Sequence, residues 1–337
     1  MTREPLVKVR DLRVEFQLAR GVVHAVDGVS FDVEPGEALG LVGESGSGKT
    51  VTLRALVGLL PRGAKLTGGT IEIDGVDVTS ADDDTQRELR GTTVSMIFQE
   101  PMTALNPVMR VGDQIAEEPL VRLGMSRSTA KARALELMGL VGIPDPKRRA
   151  EAYPHELSGG LRQRVMIAIA LSGDPKVVLC DEPTTALDVT IQDQILKLLR
   201  TLQRELDVSL VFVSHDLAVI AQTCRRLAVM YAGQVVESGS VAEVFHQPRH
   251  PYTLALLRSV PDFDVVRERL TSIPGAPPDL ASPPAGCRFH PRCAFVQEDC
   301  LTTDVPLIEL NPERAARCLH QDRVAIDVQR EPVIAGG

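Results

Sequence analysis

The sequence contains no tryptophan, and aromatic residues make up only 3% of its 337 positions. Stacking platforms for single-stranded nucleic acid are therefore scarce. Positive charge is also in short supply: 37 Lys+Arg against 45 Asp+Glu leave a net charge of −8. Such a chain lacks the positive field that dominates nucleic-acid affinity, so no nucleic-acid partner is expected. Long apolar runs are missing too. Residues 165–171 (VMIAIAL) form one of the longer uncharged stretches, closed off by Arg164 and by Ser172-Gly173-Asp174, where a spanning helix needs about 20 apolar residues. The opening MTREP has no apolar run behind it, so no secretory signal is expected and the chain reads as cytoplasmic and soluble. Six cysteines in that compartment are expected to be reduced, which favours core packing or metal ligation over disulfides. Four of the six lie between residues 287 and 318.

What is present is ordinary in bulk. Hydrophobic residues are 44% and charged residues 24% of the chain, close to globular averages. Its length suggests one large domain or two modest ones. Segments 6–10, 12–16, 22–26 and 29–33 read as short strands broken by Gly21, Gly28 and Pro35-Gly36. A buried strand over 38–42, a helix over 49–60, an Asp-Gly hairpin over 71–78 and a strand over 94–98 follow. Residues 111–123 and 128–140 carry apolar residues at helical spacing, with Ser126 or Ser128 as N-cap. Segments 177–180 and 210–213 are continuously apolar, as in a parallel sheet, with an amphipathic helix over 189–205 between them. Strands alternating with helices predict an α/β core. From about residue 247 proline becomes frequent and periodicity fades. There is no internal repeat and no sustained heptad pattern.

Gly43-Glu44-Ser45-Gly46-Ser47-Gly48-Lys49-Thr50 fits G-x-x-x-x-G-K-[ST] between an apolar strand and a helix. The glycines let backbone N–H groups turn inward around phosphates, and the helix N-terminus adds partial positive charge. Lys49 would hold the β- and γ-phosphates, and the Thr50 hydroxyl would ligate Mg²⁺. An apolar strand ending in Asp181-Glu182 corroborates this. Asp181 would hold Mg²⁺ through its water shell, and Glu182 would polarise an attacking water, which predicts hydrolysis rather than binding alone.

Leu157-Ser158-Gly159-Gly160-Leu161-Arg162-Gln163-Arg164 resembles the signature motif of the ATP-binding cassette (ABC) ATPases. Other elements of that family occur in order. Gln99 resembles the Q-loop glutamine that contacts Mg²⁺ and the attacking water. Ala186-Leu187-Asp188 resembles the D-loop, His215 the switch histidine at the γ-phosphate, and Phe16 the aromatic that stacks on adenine. Two departures stand out: Leu161 where the family most often has Gln, and Thr185 where the D-loop usually begins with Ser.

The resemblance implies an ABC-type P-loop ATPase core with an N-terminal antiparallel β subdomain and a helical insert, followed by a cysteine-containing extension. Phe16, Gly43, Ser45, Gly46, Ser47, Gly48, Lys49, Thr50 and Val51 would bind ATP. Leu157, Ser158, Gly159, Gly160 and Gln163 would face ATP on a second, head-to-tail subunit. The expected division is residues 1–246 for the ATPase domain, with a helical subdomain at about 103–172, and 247–337 for the extension.

In the tail, Arg249-His250-Pro251-Tyr252-Thr253-Leu254, Ile273-Pro274-Gly275-Ala276-Pro277-Pro278 and Gly286-Cys287-Arg288-Phe289-His290-Pro291-Arg292-Cys293 resemble the extension of the dipeptide/oligopeptide importer ATPases. That likeness implies a peripheral subunit on the cytoplasmic face of the membrane. Its partners would be a second ATPase, usually a paralogue, two permease subunits and an extracytoplasmic peptide-binding protein. The family also includes importers of other small solutes such as nickel chelates. A nucleic-acid-directed ABC ATPase usually carries two cassettes or coiled-coil arms, and neither occurs here.

Cys287, Cys293, Cys300 and Cys318 follow a C-x5-C-x6-C-x17-C spacing. Four thiolates suit Zn²⁺ or an iron–sulfur cluster. The gaps exceed the two to four residues usual in structural zinc sites, so the spacing leans toward iron–sulfur. The family likeness, which implies a [4Fe–4S] site in this extension, leans the same way. His290 and His320 keep a Cys/His zinc site open, and burial as small apolar side chains is the third reading.

Overall fold

A computed structural model describes residues 4–19, 21–185, 187–259 and 272–330 of the chain. Its centre is an eight-stranded sheet. Five strands run parallel, in the spatial order Arg226–Tyr231, Ala38–Val42, Ser209–Ser214, Val177–Asp181 and Val94–Ile97. Successive side chains alternate between faces, and both faces are covered. Leu39, Leu41, Leu179, Val211 and Val213 join one core beneath the antiparallel sheet and the helix Lys49–Leu56. Ala38, Val42, Cys180, Leu210 and Phe212 join the other, beneath the helices that follow residue 110. Burial on both sides is why these strands read as unbroken apolar runs.

The antiparallel sheet is built from Gly21–Val33, Val7–Leu18, Ala64–Ile73 and Val76–Asp77, in that spatial order. Four short N-terminal strands were the expectation; two long bulged ones are found. The pairing of the first two strands shifts register between Val9 and Leu12 and between Val14 and Glu15, and Gly28 sits inside its strand at φ 73°. A glycine within a strand marks a bulge more often than an end. The helix after the phosphate loop stops at Leu56 rather than residue 60, with Gly58 at φ 62° beyond it.

Between Val94–Ile97 and Val177–Asp181 the chain forms helices Val111–Val121, Arg127–Leu140, Pro146–Ala150 and Gly159–Leu171. Ser126 is the N-cap of the second, accepting from the Thr129 N–H. Cys224 caps the C-terminus of the helix Leu217–Thr223.

The extension departs most from expectation. Its strand Arg314–Ala316 adds antiparallel to Gln234–Ser240, and Ile308–Asn311 pairs antiparallel with Arg314–Ala316 to complete the main sheet. Phe289, Val305, Val324 and Val328 are buried, so the tail owns more packed apolar surface than its proline content suggests. It is also fastened by a buried charge. Glu237, fully buried, accepts from the Arg249 and His250 N–H groups at 2.8 and 2.9 Å and from Arg314 Nη2 at 3.2 Å. Burial raises the Glu237 carboxyl above its usual range, and those donors and Arg314 pull it back.

Candidate nucleotide site and four-cysteine cavity

The expected nucleotide residues converge at the C-terminal ends of neighbouring parallel strands, where ligands of open α/β sheets gather. Ala38–Val42 leads into the phosphate loop, Val177–Asp181 ends at Asp181, Ser209–Ser214 precedes His215, and Val94–Ile97 leads to Gln99.

The loop is closely backed. A Cβ at Gly43 (φ 152°) would lie 2.1 Å from the Met230 carbonyl oxygen, and one at Gly48 (φ 102°) 2.4 Å from that of Ala25. Only glycine fits at these two positions, because both conformation and space exclude a side chain. Ser47 is buried, while Ser45 and Gly46 are exposed at the loop's tip. Lys49 folds back beneath the loop, donating to the carbonyls of Gly43 and Glu44 at 2.7 and 2.9 Å. Burial pushes its ammonium below the ordinary lysine range, with Glu182, Asp181 and Glu44 opposing.

Thr50 Oγ1 donates to Asp181 Oδ1 at 2.8 Å. Asp181 is 1% exposed. Burial raises its carboxyl, against the pull of Thr50, Arg54 and Lys49. A hydroxyl and a desolvated carboxylate side by side fit Mg²⁺, a hard cation that takes oxygen ligands through few protein groups.

Glu182 begins the turn after its strand in the left-handed region, at φ 46°, a conformation that costs about 1–3 kcal/mol for a non-glycine residue and clusters at functional sites. Its N–H donates to the Val213 carbonyl at 3.0 Å, tying the ends of two adjoining strands together. Three side chains surround its carboxylate. Gln99 Nε2 donates to Oε2 at 3.1 Å, Thr185 Oγ1 to the same oxygen at 2.8 Å, and His215 Nδ1 lies 3.2 Å from Oε1. The Thr185 contact escaped sequence reasoning, in which that residue was only a departure from Ser; either hydroxyl can make it. A carboxylate so oriented can accept a proton from water, the requirement for a general base.

The signature residues lie apart from this grouping. Ser158 is exposed and caps the helix Gly159–Leu171, its Oγ accepting from the Leu161 N–H at 3.4 Å. A Cβ at Gly160 would meet Ile191 at 2.9 Å, which places the motif beside the helix Val189–Leu206. Asp188 caps that helix through the Ile191 N–H at 2.9 Å; Ala186 of the same loop lies outside the described residues. Leu157 and Gln163 are buried, and Gln163 Nε2 has no hydrogen-bond partner among the described residues, so neither shares the exposed face of Ser158. Phe16, half-buried, stands opposite Val23 and Ala64 on the antiparallel sheet. Val51 is half-buried on the first turn after the loop.

Cys287, Cys293, Cys300 and Cys318 line one small cavity with Phe289 and Val305. Burial and the neighbouring thiols push Cys293 up to about 11 and Cys318 up to about 12. Among the described residues, no three of these sulfurs lie within 4.8 Å of one another, whereas Asp299, Cys300 and His320 do bring their ligand atoms that close. Cys180 and Cys224 are buried in the core.

A phosphate loop backed by an antiparallel sheet, acidic and histidine residues on adjoining strands and a remote signature helix define an ATP-binding cassette, a P-loop ATPase. The ABC transporter family matches residues 26–185, and the oligopeptide/dipeptide transporter C-terminal region matches residues 236–300. The dipeptide transport ATP-binding protein DppD of Bacillus subtilis is 51% identical over 291 residues, 86% of this chain and 87% of that protein. A Brucella melitensis protein provisionally named a peptide import ATP-binding protein is 47% identical over 337 residues, covering 96% of this chain and 100% of its own length. Among solved structures, the ATP-binding cassette MJ0796, a dimer in a post-hydrolysis state bound to ADP and Pi, has a TM-score of 0.62 at 29% identity. It covers 70% of this chain and 98% of its own. The chain belongs to the ABC ATPases, in the family of oligopeptide/dipeptide transporter ATP-binding proteins.

Proposed function

We propose that this chain is an ATP-hydrolysing subunit that powers import of di- or oligopeptides through a membrane permease. The observation that carries this is likeness over 96% and 86% of the chain, extension included, to proteins named for peptide import and dipeptide transport. In this reading the ATPase domain is residues 1–246, with a helical subdomain at about 103–172, and the extension is 247–337. Lys49 and the loop residues Gly43, Ser45, Gly46, Ser47, Gly48 and Thr50 hold the phosphates, Phe16 faces adenine, and Val51 flanks the site. Thr50, Asp181 and Gln99 hold Mg²⁺, which neutralises phosphate charge when bound. Glu182 takes the proton of the attacking water, oriented by Gln99, and His215 contacts the γ-phosphate. Ser158, Gly159 and Gly160 close over the nucleotide of a second ATPase, with Asp188 at the same face.

That second ATPase is a paralogue in this reading. Two permeases and an extracytoplasmic peptide-binding protein complete the assembly, with this chain peripheral on the cytoplasmic face. No helix among the described residues is long and apolar enough to cross a membrane. Phe98, Met102, Val108 and Val121 are exposed around the Q-loop, which supports docking of a permease there. The chain is expected to sediment with membranes only when the permease genes are co-expressed. Sedimentation independent of them would contradict the reading.

The four extension thiols hold a [4Fe–4S] cluster as a structural crosslink. A zinc ion bound by four thiolates at about 2.3 Å draws its sulfurs to roughly 4 Å of one another, closer than this cavity brings any three of them. Anaerobically purified protein is expected to be brown and to carry about four irons per chain. Colourless protein with stoichiometric zinc would rule the cluster out.

A further inference from the structure

Glu44, the second residue of the phosphate loop, is held at both its backbone and its side chain by the extension. Its N–H donates to the Tyr252 hydroxyl at 2.8 Å. Its carboxylate takes a two-pronged ion pair from Arg292, Nη1 to Oε2 at 2.7 Å and Nη2 to Oε1 at 3.0 Å. Neither partner is free to drift. Tyr252 is fully buried, its ring 4.5 Å from that of Tyr231 and 5.4 Å from that of Phe289. Arg292 is 7% exposed, donates Nε to the Pro274 carbonyl at 2.8 Å, and lies over the Tyr231 ring at 5.8 Å.

A second arm reaches the loop from the other side. Arg288 donates to the Ala232 carbonyl at 2.6 Å and pairs with Asp27. The adjoining Gly233 N–H donates to the Ser47 carbonyl at 3.1 Å. Two arginines from the segment 287–293 thus brace the loop near its start and near its turn into the helix. That segment begins and ends with Cys287 and Cys293, so the cavity packs both ends of the arm that carries them.

We propose that Tyr252 and Arg292 are positioning residues for nucleotide binding, fixing the peptide and side chain of Glu44 so that the phosphate loop is preorganised. The physical reason is entropic. A loop with glycines at 43, 46 and 48 has unusual backbone freedom, and ordering it when phosphate arrives subtracts from affinity. A two-pronged Arg–carboxylate pair with its guanidinium buried removes that freedom beforehand. The extension therefore sets the affinity of the ATP site, in addition to any contact with other subunits.

The proposal rests on the reading of this loop as the ATP site, and the experiment separates the two. Full-length wild type, Tyr252→Phe, Arg292→Lys and Glu44→Gln are titrated with a fluorescent ATP analogue in the presence of Mg²⁺, and the melting temperature is recorded without nucleotide. Glu44→Gln, at a partly exposed side chain, guards against a variant that fails to fold. Each variant is expected to bind about three- to tenfold more weakly, as loss of one hydrogen bond or charged pair predicts. The nucleotide-free melting temperature stays near wild type. In the assembled transporter the KM for ATP rises in step while kcat at saturation holds. The double variant Glu44→Gln/Arg292→Lys is expected to be little worse than the weaker single, because the two share one interaction. Variants that bind like wild type, or whose KM and kcat worsen together with a fallen melting temperature, overturn the proposal. A wild-type chain that does not bind the analogue overturns the ATP-site reading itself.

Discussion

Replacing Glu182 by Gln is expected to lower ATP turnover by roughly 10²- to 10⁴-fold while leaving MgATP bound, since the amide keeps the shape but cannot take a proton from water. The site is arranged for that outcome. Gln99, Thr185 and His215 converge on the two oxygens of one carboxylate, so the substitution changes the chemistry of the acceptor without moving its neighbours. Lys49→Ala acts on a different step. Its Nζ lies against the Gly43 and Glu44 carbonyls, and removing it takes away phosphate affinity before hydrolysis is reached. Single-turnover hydrolysis measured beside nucleotide titration separates the two. Unchanged turnover in the Glu182 variant would remove that residue from the mechanism.

Ser158→Arg is expected to have an effect of comparable size at a different nucleotide. Ser158 is exposed at the start of its helix, where its Oγ accepts from the Leu161 N–H. Its helix N-terminus is a ready anion site, and the proposed head-to-tail pairing directs it to the partner's γ-phosphate. The arginine should fill that space and lower turnover at the opposite site by about 10²-fold or more, the scale of losing a positioned anion donor. Nucleotide binding at this chain's own loop should survive. With two different ATPase subunits, each site can be followed separately by inactivating the other. Loss of binding at the chain's own loop would contradict the head-to-tail arrangement.

The parallel core and the nucleotide site were legible because both leave local marks. Residues 177–180 and 210–213 are apolar without alternation, which only a sheet covered on both faces tolerates, and the phosphate loop needs glycines at fixed positions. Long-range pairing leaves no such mark. The strands Ile308–Asn311 and Arg314–Ala316 are short and flanked by charged residues; they become strands because Arg314–Ala316 adds to the edge of Gln234–Ser240 and Ile308–Asn311 pairs with it in turn. Tertiary context overrides propensity there. The contacts of Arg292 and Tyr252 to Glu44 span 248 and 208 residues of sequence. A lone arginine beside a cysteine announced nothing of its partner. Thr185 was visible as a departure from the family pattern, but its bond to Glu182 became evident only when the turn after Asp181 was seen to fold back on itself.

The most direct test of the whole account is peptide uptake by proteoliposomes containing this chain, its partner ATPase and the two permeases, with a peptide-loaded binding protein on the far side and MgATP on the ATPase side. Labelled di- or oligopeptide is expected to accumulate against its gradient only with hydrolysable nucleotide, and to stop when Glu182→Gln replaces the wild-type chain. Accumulation that persists with the Glu182 variant, or ATP hydrolysis that proceeds at the full rate with no peptide movement, would contradict the claim that this chain powers peptide import.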